Sequence, residues 1–325
     1  MQEHWFRRLT SHLVSGAGTL VLLFYYFQFD ILAPVTMIPP WLWLIAACLI
    51  FGLSYRAFSR WRLVFSLVVW STFLILFVEE ARSLIRISGS NSIERSASHS
   101  VDGLRIVTLN CHMGSYAAAM ELEGYQPDVV LLQESPGMSQ LPKIANALLG
   151  PESGWISCGD ASILVRGKLV PIVSDQSSHF AHAVVTSPNG LEFDVVSLRL
   201  SPPVFRFDFW NAEFWNSHLE TRKHHRLQLE MIVEHLNRAA KTNCWIIGGD
   251  FNLVGNDGAL DAMKELSDTF FQMGSGWGNT GTNNYPLFRV DQIWTNSAFA
   301  CNAHRAFATQ NSDHRMVLAD LVPAK

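Results

Sequence analysis

The chain has 325 residues, a formal net charge of −4, and 49% hydrophobic against 16% charged residues. Its five cysteines include no CxxC pair, which argues against a cysteine zinc site or a dithiol redox motif. From Ser100 onward 16 Lys and Arg face 23 Asp and Glu, a net charge of −7, whereas nucleic-acid binders usually present a basic surface. A local basic groove stays compatible with that balance.

The front of the chain is unlike the rest. Residues 13–29, 38–55 and 63–78 are apolar stretches without a charged residue. Each is about the length that crosses a hydrocarbon core at ~1.5 Å per residue. Tyr25, Tyr26, Trp41, Trp43, Tyr55 and Trp61 gather near their ends, as at membrane interfaces. The alternative, a buried helical domain, would need a large partner to cover all three. A cleaved signal peptide accounts only for the first. The reading is an anchor over residues 1–87 with three transmembrane helices. Arg7, Arg8, Arg56, Arg60 and Arg62 flank the cytoplasmic ends, and residues 30–37 carry no positive charge. The positive-inside rule then places the chain beyond the third crossing outside the cytoplasm, although Arg82 and Arg86 oppose it. Residues 88–101 are rich in Ser and read as a linker.

Residues 102–325 suit one domain with a full core. Apolar runs bounded by turn residues predict buried strands at 104–110, 128–134, 244–252 and 289–294, followed by Ser312-Asp313-His314. Each run ends in a polar residue: Asn110, Glu134, Asp250 with Asn252, Asp291, and Asp313 with His314. Gathered on one rim of a sheet, these groups can hold a hard divalent cation, activate a water and receive a phosphate. An Asx turn is the bland alternative for Asp250 and Asn252.

These segments resemble the endonuclease/exonuclease/phosphatase superfamily, and Gly-Asp-Phe-Asn and Ser-Asp-His are the most specific parts. The resemblance implies a four-layer α/β sandwich, two packed mixed sheets flanked by helices. It implies Mg²⁺, with Mn²⁺ as the alternative, on Glu134, supported by Asn110 and Asp313. It implies that Asp250 orients or deprotonates the attacking water, and that Asn252 and His314 bind the phosphoryl group. Asp291 would then orient His314. Water would attack phosphorus in line, with no covalent enzyme intermediate.

One position departs from the family pattern. Where many members have His or Tyr, the strand 193–199 ends in Arg199, whose planar fork suits phosphate but cannot act as an acid. A phosphate leaving group needs no such acid; an ion-paired strand residue is the plain alternative. Next comes Val204-Phe-Arg-Phe-Asp-Phe-Trp210-Asn-Ala-Glu-Phe-Trp215, which can dip into a membrane interface, line a lipid entry, or pack as a lid. Arg222-Lys-His-His-Arg226 is expected to start a helix running to about Ala240, as a solvated face or as a phosphate cluster at the helix N-terminus. His112, His179 and His182 read as structural or surface residues. A disulfide between Cys158 and Cys301 stays open.

The architecture resembles the bacterial membrane phosphatases linked to teicoplanin resistance, proposed to act on undecaprenyl pyrophosphate. The expected substrate is thus a lipid phosphate at the membrane surface, with Trp210, Trp215 and Arg199 in substrate binding. A membrane-tethered nuclease, a sphingomyelinase-like phosphodiesterase and an inactive binding domain are the rivals. Nothing in the sequence indicates a protein partner.

Overall fold

The computed structural model describes residues 2–54, 58–87, 103–173, 179–204, 206 and 208–324. The expected linker at 88–101, together with Tyr55, Arg56, Phe205 and Phe207, lies outside the described residues. The chain divides into two compact units. One takes the residues up to Arg82 with Val204–Lys223 and Asn256–Gly258; the other takes Ser83–Pro203, His224–Gly255 and Ala259–Lys325.

The first unit is helical: α1 (Gln2–Phe27), a 3-10 turn (Asp30–Leu32), α2 (Ala33–Thr36), α3 (Pro40–Ser54) and α4 (Arg60–Phe77). Val21, Tyr25, Phe73 and Val78 form its core, with Trp41, Trp43 and Trp70 packed against them. The α4 sequence has no polar face, and Leu67, Val68, Ile75 and Leu76 are half exposed or more. A helix that is apolar all round is made for an apolar surround. Among the described residues, Arg60–Phe77 is long and apolar enough to cross a membrane; Asp30–Thr36 with Pro40–Gly52 adds a second span only if their 64° bend is one broken crossing. Val14–Phe27 is apolar but shorter. The structure therefore carries one or two such helices where the sequence reading has three. Two features explain the shortfall: α3 starts at Pro40 and runs 15 residues to Ser54, and His4, Arg7, Arg8 and His12 leave only the latter part of α1 apolar.

After α5 (Glu79–Ile87), the second unit runs β1 (Leu104–Asn110), α6 (Tyr116–Met120), β2 (Val129–Gln133), α7 (Leu141–Leu149), β3 (Ser153–Cys158), β4 (Ala161–Arg166), β5 (Lys168–Val173), β6 (Phe180–Thr186) and β7 (Glu192–Arg199). It continues with α8 (Ala212–Ala239), β8 (Trp245–Asp250), β9 (Ser267–Asp268), α9 (Thr269–Met273), β10 (Asp291–Thr295), β11 (Phe299–Phe307) and β12 (Met316–Pro323). Among the described residues two six-stranded sheets form, in the orders β11-β12-β1-β2-β4-β3 and β5-β6-β7-β8-β10-β9. Both are mixed: β1 and β2 are parallel, as are β7 and β8, while β12 opposes β1 and β10 opposes β8.

Alternation along each strand builds the layers. Ile106, Leu131, Val195, Ile246, Ile293 and Val317 meet in the core between the sheets. Val107, Leu109 and Leu132 face outward to Leu141, Ile144 and Leu148 of α7. On the other sheet Val196, Leu198 and Ile247 face Leu229, Ile232 and Leu236 of α8. This is the expected sandwich of two packed sheets with outer helices.

Two expectations change. Sequence analysis starts the long helix near Arg222, but it begins at Ala212, so residues 222–226 lie in its interior and offer no helix N-terminus. Arg222 is buried, donating to Thr36 Oγ1 at 2.5 Å and to Asp257 Oδ2 at 2.9 Å, and His225 bonds the Ser201 carbonyl at 2.7 Å. The phosphate cluster is therefore overturned. No disulfide joins Cys158 and Cys301.

Arg105 is the one cation inside β1. It is 1% exposed, grips Asp320 of β12 through Nε at 2.7 Å and Nη2 at 3.0 Å, and donates to the Tyr125 carbonyl at 3.0 Å. Removing one partner of a buried pair strands the other charge, at about 3–5 kcal/mol. Asp320→Ala is expected to destabilise the chain by about 3 kcal/mol, read as a lowered denaturant midpoint; an unchanged midpoint would show the pair to be dispensable.

Candidate active site

The site is built where strand ends from both sheets converge. β1, β2, β7 and β8 end at this rim, and the antiparallel β10 and β12 begin there. One sheet supplies Asn110, Glu134 and His314, and the other supplies Arg199, Asp250 and Asp291. The sequence reading places them all on a single sheet, and the structure divides them between two.

The backbone at the rim is unusual. His112, Met113, Glu134 and Asn252 all have positive φ, between 42° and 55°, a region that side-chain-bearing residues seldom adopt. Such strain persists where surrounding structure enforces it, as at functional sites. In the Gly248-Gly249-Asp250 segment, Gly249 has φ +148°, and a Cβ there would sit 2.0 Å from the Leu198 carbonyl oxygen. A Cβ on Gly248 would lie 2.6 Å from a Leu131 methyl. The glycine pair lets β8 approach both β7 and the opposing sheet, delivering Asp250 to the rim.

Asp250 and Asp291 face each other in the β8–β10 register, 1% and 0% exposed. His314 Nδ1 bonds Asp291 Oδ2 at 2.8 Å. One ligand-type atom from each of Asp250, Asp291 and His314 lies within 4.8 Å of the others. Burial, then the Asp291 charge, pushes the Asp250 carboxyl up to about 6. Burial acts against a charged His314, but the Asp291 charge and hydrogen bond outweigh it and push the imidazole up to about 10. The His314 loop is tied to β1 because Ser312 Oγ donates to the Asn110 carbonyl at 2.6 Å. Asp291 Oδ1 is buried without a hydrogen-bond partner.

Asn110, 1% exposed, links this trio to the next carboxylate. Its Nδ2 donates to Asp250 Oδ2 at 3.0 Å and to Glu134 Oε1 at 3.3 Å. Glu134 also accepts from Met113 N at 2.6 Å and from Arg199 Nη2 at 2.7 Å. Burial acts to raise its carboxyl, but these donors outweigh that and hold it below the ordinary value. Arg199 Nη1 reaches Asp160 Oδ2 at 2.9 Å. Asn252 lends its backbone N–H to Asp250 Oδ1 at 3.0 Å and its Nδ2 to the Leu200 carbonyl at 2.9 Å. Asn110, Glu134, Arg199, Asp250, Asn252, Asp291 and His314 thus form one connected rim.

Asp313 differs: its side chain is 51% exposed and pairs with His112 Nδ1 at 3.0 Å. Sequence reasoning takes His112 as structural; its place two residues after Asn110 is the available signal. Asp160 is also missed, since a lone exposed acid in a turn gives none. Trp210 and Trp215 belong to the helical unit with Val204–Lys223, not to this cluster. His182 is a buried structural residue bonded to Asp194 at 2.9 Å.

The donor set fits a hard divalent cation. It is made of carboxylate and amide oxygens, and the two adjacent buried carboxylates, one with an unpartnered oxygen, favour added positive charge. The sequence reading assigns the cation to Glu134, Asn110 and Asp313; in the structure Asp313 is turned to His112, and Asp250, Asp291 and His314 are the group whose ligand atoms lie within 4.8 Å of one another.

A sequence profile of the Endonuclease/Exonuclease/phosphatase family matches residues 107–314. No curated relative matches the chain. Among solved structures, the endonuclease/exonuclease/phosphatase from Bacteroides vulgatus is similar with TM-score 0.53 at 15% identity, covering 68% of this chain and 99% of that one. The mannosyl-6-phosphatase Bt3783 of Bacteroides thetaiotaomicron VPI-5482 gives 0.50 at 17% identity, over 67% of this chain and 99% of that one. Beta toxin 275-280 from Staphylococcus aureus gives 0.50 at 16%, over 66% and 99%. At such identities these neighbours show a shared fold. The profile covers more than half of the chain, and with the strand-end cluster in place the chain belongs to the endonuclease/exonuclease/phosphatase family.

Proposed function

We propose that the protein is a Mg²⁺-dependent phosphohydrolase acting on a lipid phosphate at a membrane surface, with undecaprenyl pyrophosphate as the first substrate to test. The observation that carries the hydrolase reading is the Asp250–Asp291–His314 cluster joined through Asn110 to Glu134. Support for a lipid comes from the helical unit, which contains both the apolar α4 and residues 204–223, where Trp210 is 87% and Phe209 50% exposed. Large exposed aromatics beside apolar helices suit an interface. On this reading the helices anchor the chain in a bacterial plasma membrane, residues 88–101 link anchor to enzyme, and an odd number of crossings, with the N-terminal arginines in the cytoplasm, puts the catalytic unit in the periplasm. The net acidity of residues 100–325 disfavours a nuclease.

Each residue of the rim has its own task. Asp250, held by Asn110 and the Asn252 N–H, receives a proton from the attacking water. His314, kept cationic by Asp291, binds a phosphoryl oxygen and stabilises the charge that grows on it. Asn252 supplies its remaining amide hydrogen to the phosphoryl group. A Mg²⁺ at Glu134 and Asn110 would neutralise phosphoryl charge when bound.

Detergent-solubilised protein should release phosphate from undecaprenyl pyrophosphate, with EDTA abolishing release and Asp250→Ala lowering it at least ~10³-fold. Plasmid nicking without phosphate release would replace the lipid reading with a nuclease. Activity should be bell-shaped in pH. Asp250 is a base only when deprotonated, so the rate falls below about 6; His314 is a cation only when protonated, so it falls again above about 10. A rate that stays flat from well below to well above about 6 would remove Asp250 from the role of base.

A further inference from the structure

The hydrogen-bonded rim has a cation at each end. His314 bonds Asp291, whose neighbour Asp250 accepts from Asn110; Asn110 also donates to Glu134, which accepts from Arg199. Arg199 and His314 thus stand on opposite sides of Asp250, Arg199 on the neighbouring β7 and His314 bonded to Asp291 of β10. Arg199 is fixed from below, because it is the last residue of β7, in register with Asp250, and its N–H donates to the His179 carbonyl at 3.1 Å. Its side chain is 22% exposed, and Nε is buried without a partner. The second carboxylate on it, Asp160, is 65% exposed. An exposed carboxylate holds a guanidinium weakly and yields to a better anion. A phosphate with two oxygens in the plane of the fork is such an anion.

We propose that Arg199 makes this site selective for diphosphates over phosphate monoesters, by holding the departing phosphate at the far end of the rim from His314. The proposal rests on the phosphohydrolase reading and specifies its substrate. The water oxygen bonds to the terminal phosphorus, and the bond from that phosphorus to the bridging oxygen breaks. The electron pair stays on the bridging oxygen, which leaves as an oxygen of the lipid monophosphate. The water proton passes to Asp250 and on to solvent, and the products are inorganic phosphate and the lipid monophosphate. A departing phosphate spreads its charge and has a second ionisation near ~6, so it needs no proton in the transition state. A departing alkoxide does, and a guanidinium has none to give near neutral pH.

Four substrates test this with the full chain in detergent and Mg²⁺: a long-chain prenyl diphosphate and its monophosphate, and a short alkyl diphosphate and its monophosphate. The wild type should prefer the diphosphate within each pair by at least ~10²-fold in kcat/KM, the size of losing one preorganised charge donor. Arg199→His should collapse that ratio by about 10²-fold, and Arg199→Lys should restore part of it. A non-hydrolysable methylene diphosphonate should lose affinity in Arg199→His more than a monophosphonate does. Equal rates within each pair, or a ratio unchanged in Arg199→His, overturn the proposal while a long-chain preference leaves the lipid reading standing. A diphosphate preference without a chain-length preference does the reverse. Hydrolysis of none of the four overturns both.

Discussion

Two buried carboxylates facing each other across β8 and β10 are the constraint around which the rest of this rim is arranged. Asp250 and Asp291 are opposite one another in an antiparallel register, and both are buried from solvent. Like charges so placed repel, and burial denies them water. Two features compensate. His314 is held as an imidazolium against Asp291, and Asn110 donates to Asp250. The same arrangement that is unfavourable without positive charge is what phosphoryl transfer uses: a base beside a cation, preorganised before substrate arrives.

The fold makes this arrangement by topology. Because β10 and β12 run against β8 and β1, residues that begin one strand stand beside residues that end another. Asn110 ends β1, His314 lies just before β12, Asp250 ends β8 and Asp291 begins β10. No long loop is needed to bring them together. The chain turns tightly out of the strands instead, which is why Glu134 and Asn252 adopt left-handed backbone and why Gly249 has no room for a side chain.

Much of this is legible in the sequence because buried strands in a sandwich are nearly continuous apolar runs, and a polar residue at the end of one stands out. Asn110, Glu134, Asp250, Asp291 and His314 are found in this way. The misses have physical reasons. The start of α8 at Ala212 is hidden because Phe214, His218 and Arg222 look like a loop and a basic face, while the structure buries all three. The partner of Arg105 inside β1 could not be read from spacing, because Asp320 lies more than two hundred residues away. His112 and Asp313 pair only because β1 and β12 are neighbours, a fact of topology that local spacing does not carry. Among the described residues one or two helices are long enough to cross a membrane, because α3 and the apolar part of α1 are shorter than the apolar runs that contain them.

The central claim is that this cluster is a divalent-cation site with Glu134 as its principal ligand. Electron paramagnetic resonance of Mn²⁺ titrated into the detergent-solubilised chain addresses it without any assumption about substrate. The account expects a bound Mn²⁺ signal that Mg²⁺ displaces and that Glu134→Gln abolishes in a chain that remains folded. Equal Mn²⁺ binding in the wild type and Glu134→Gln, or no binding in either, would contradict it.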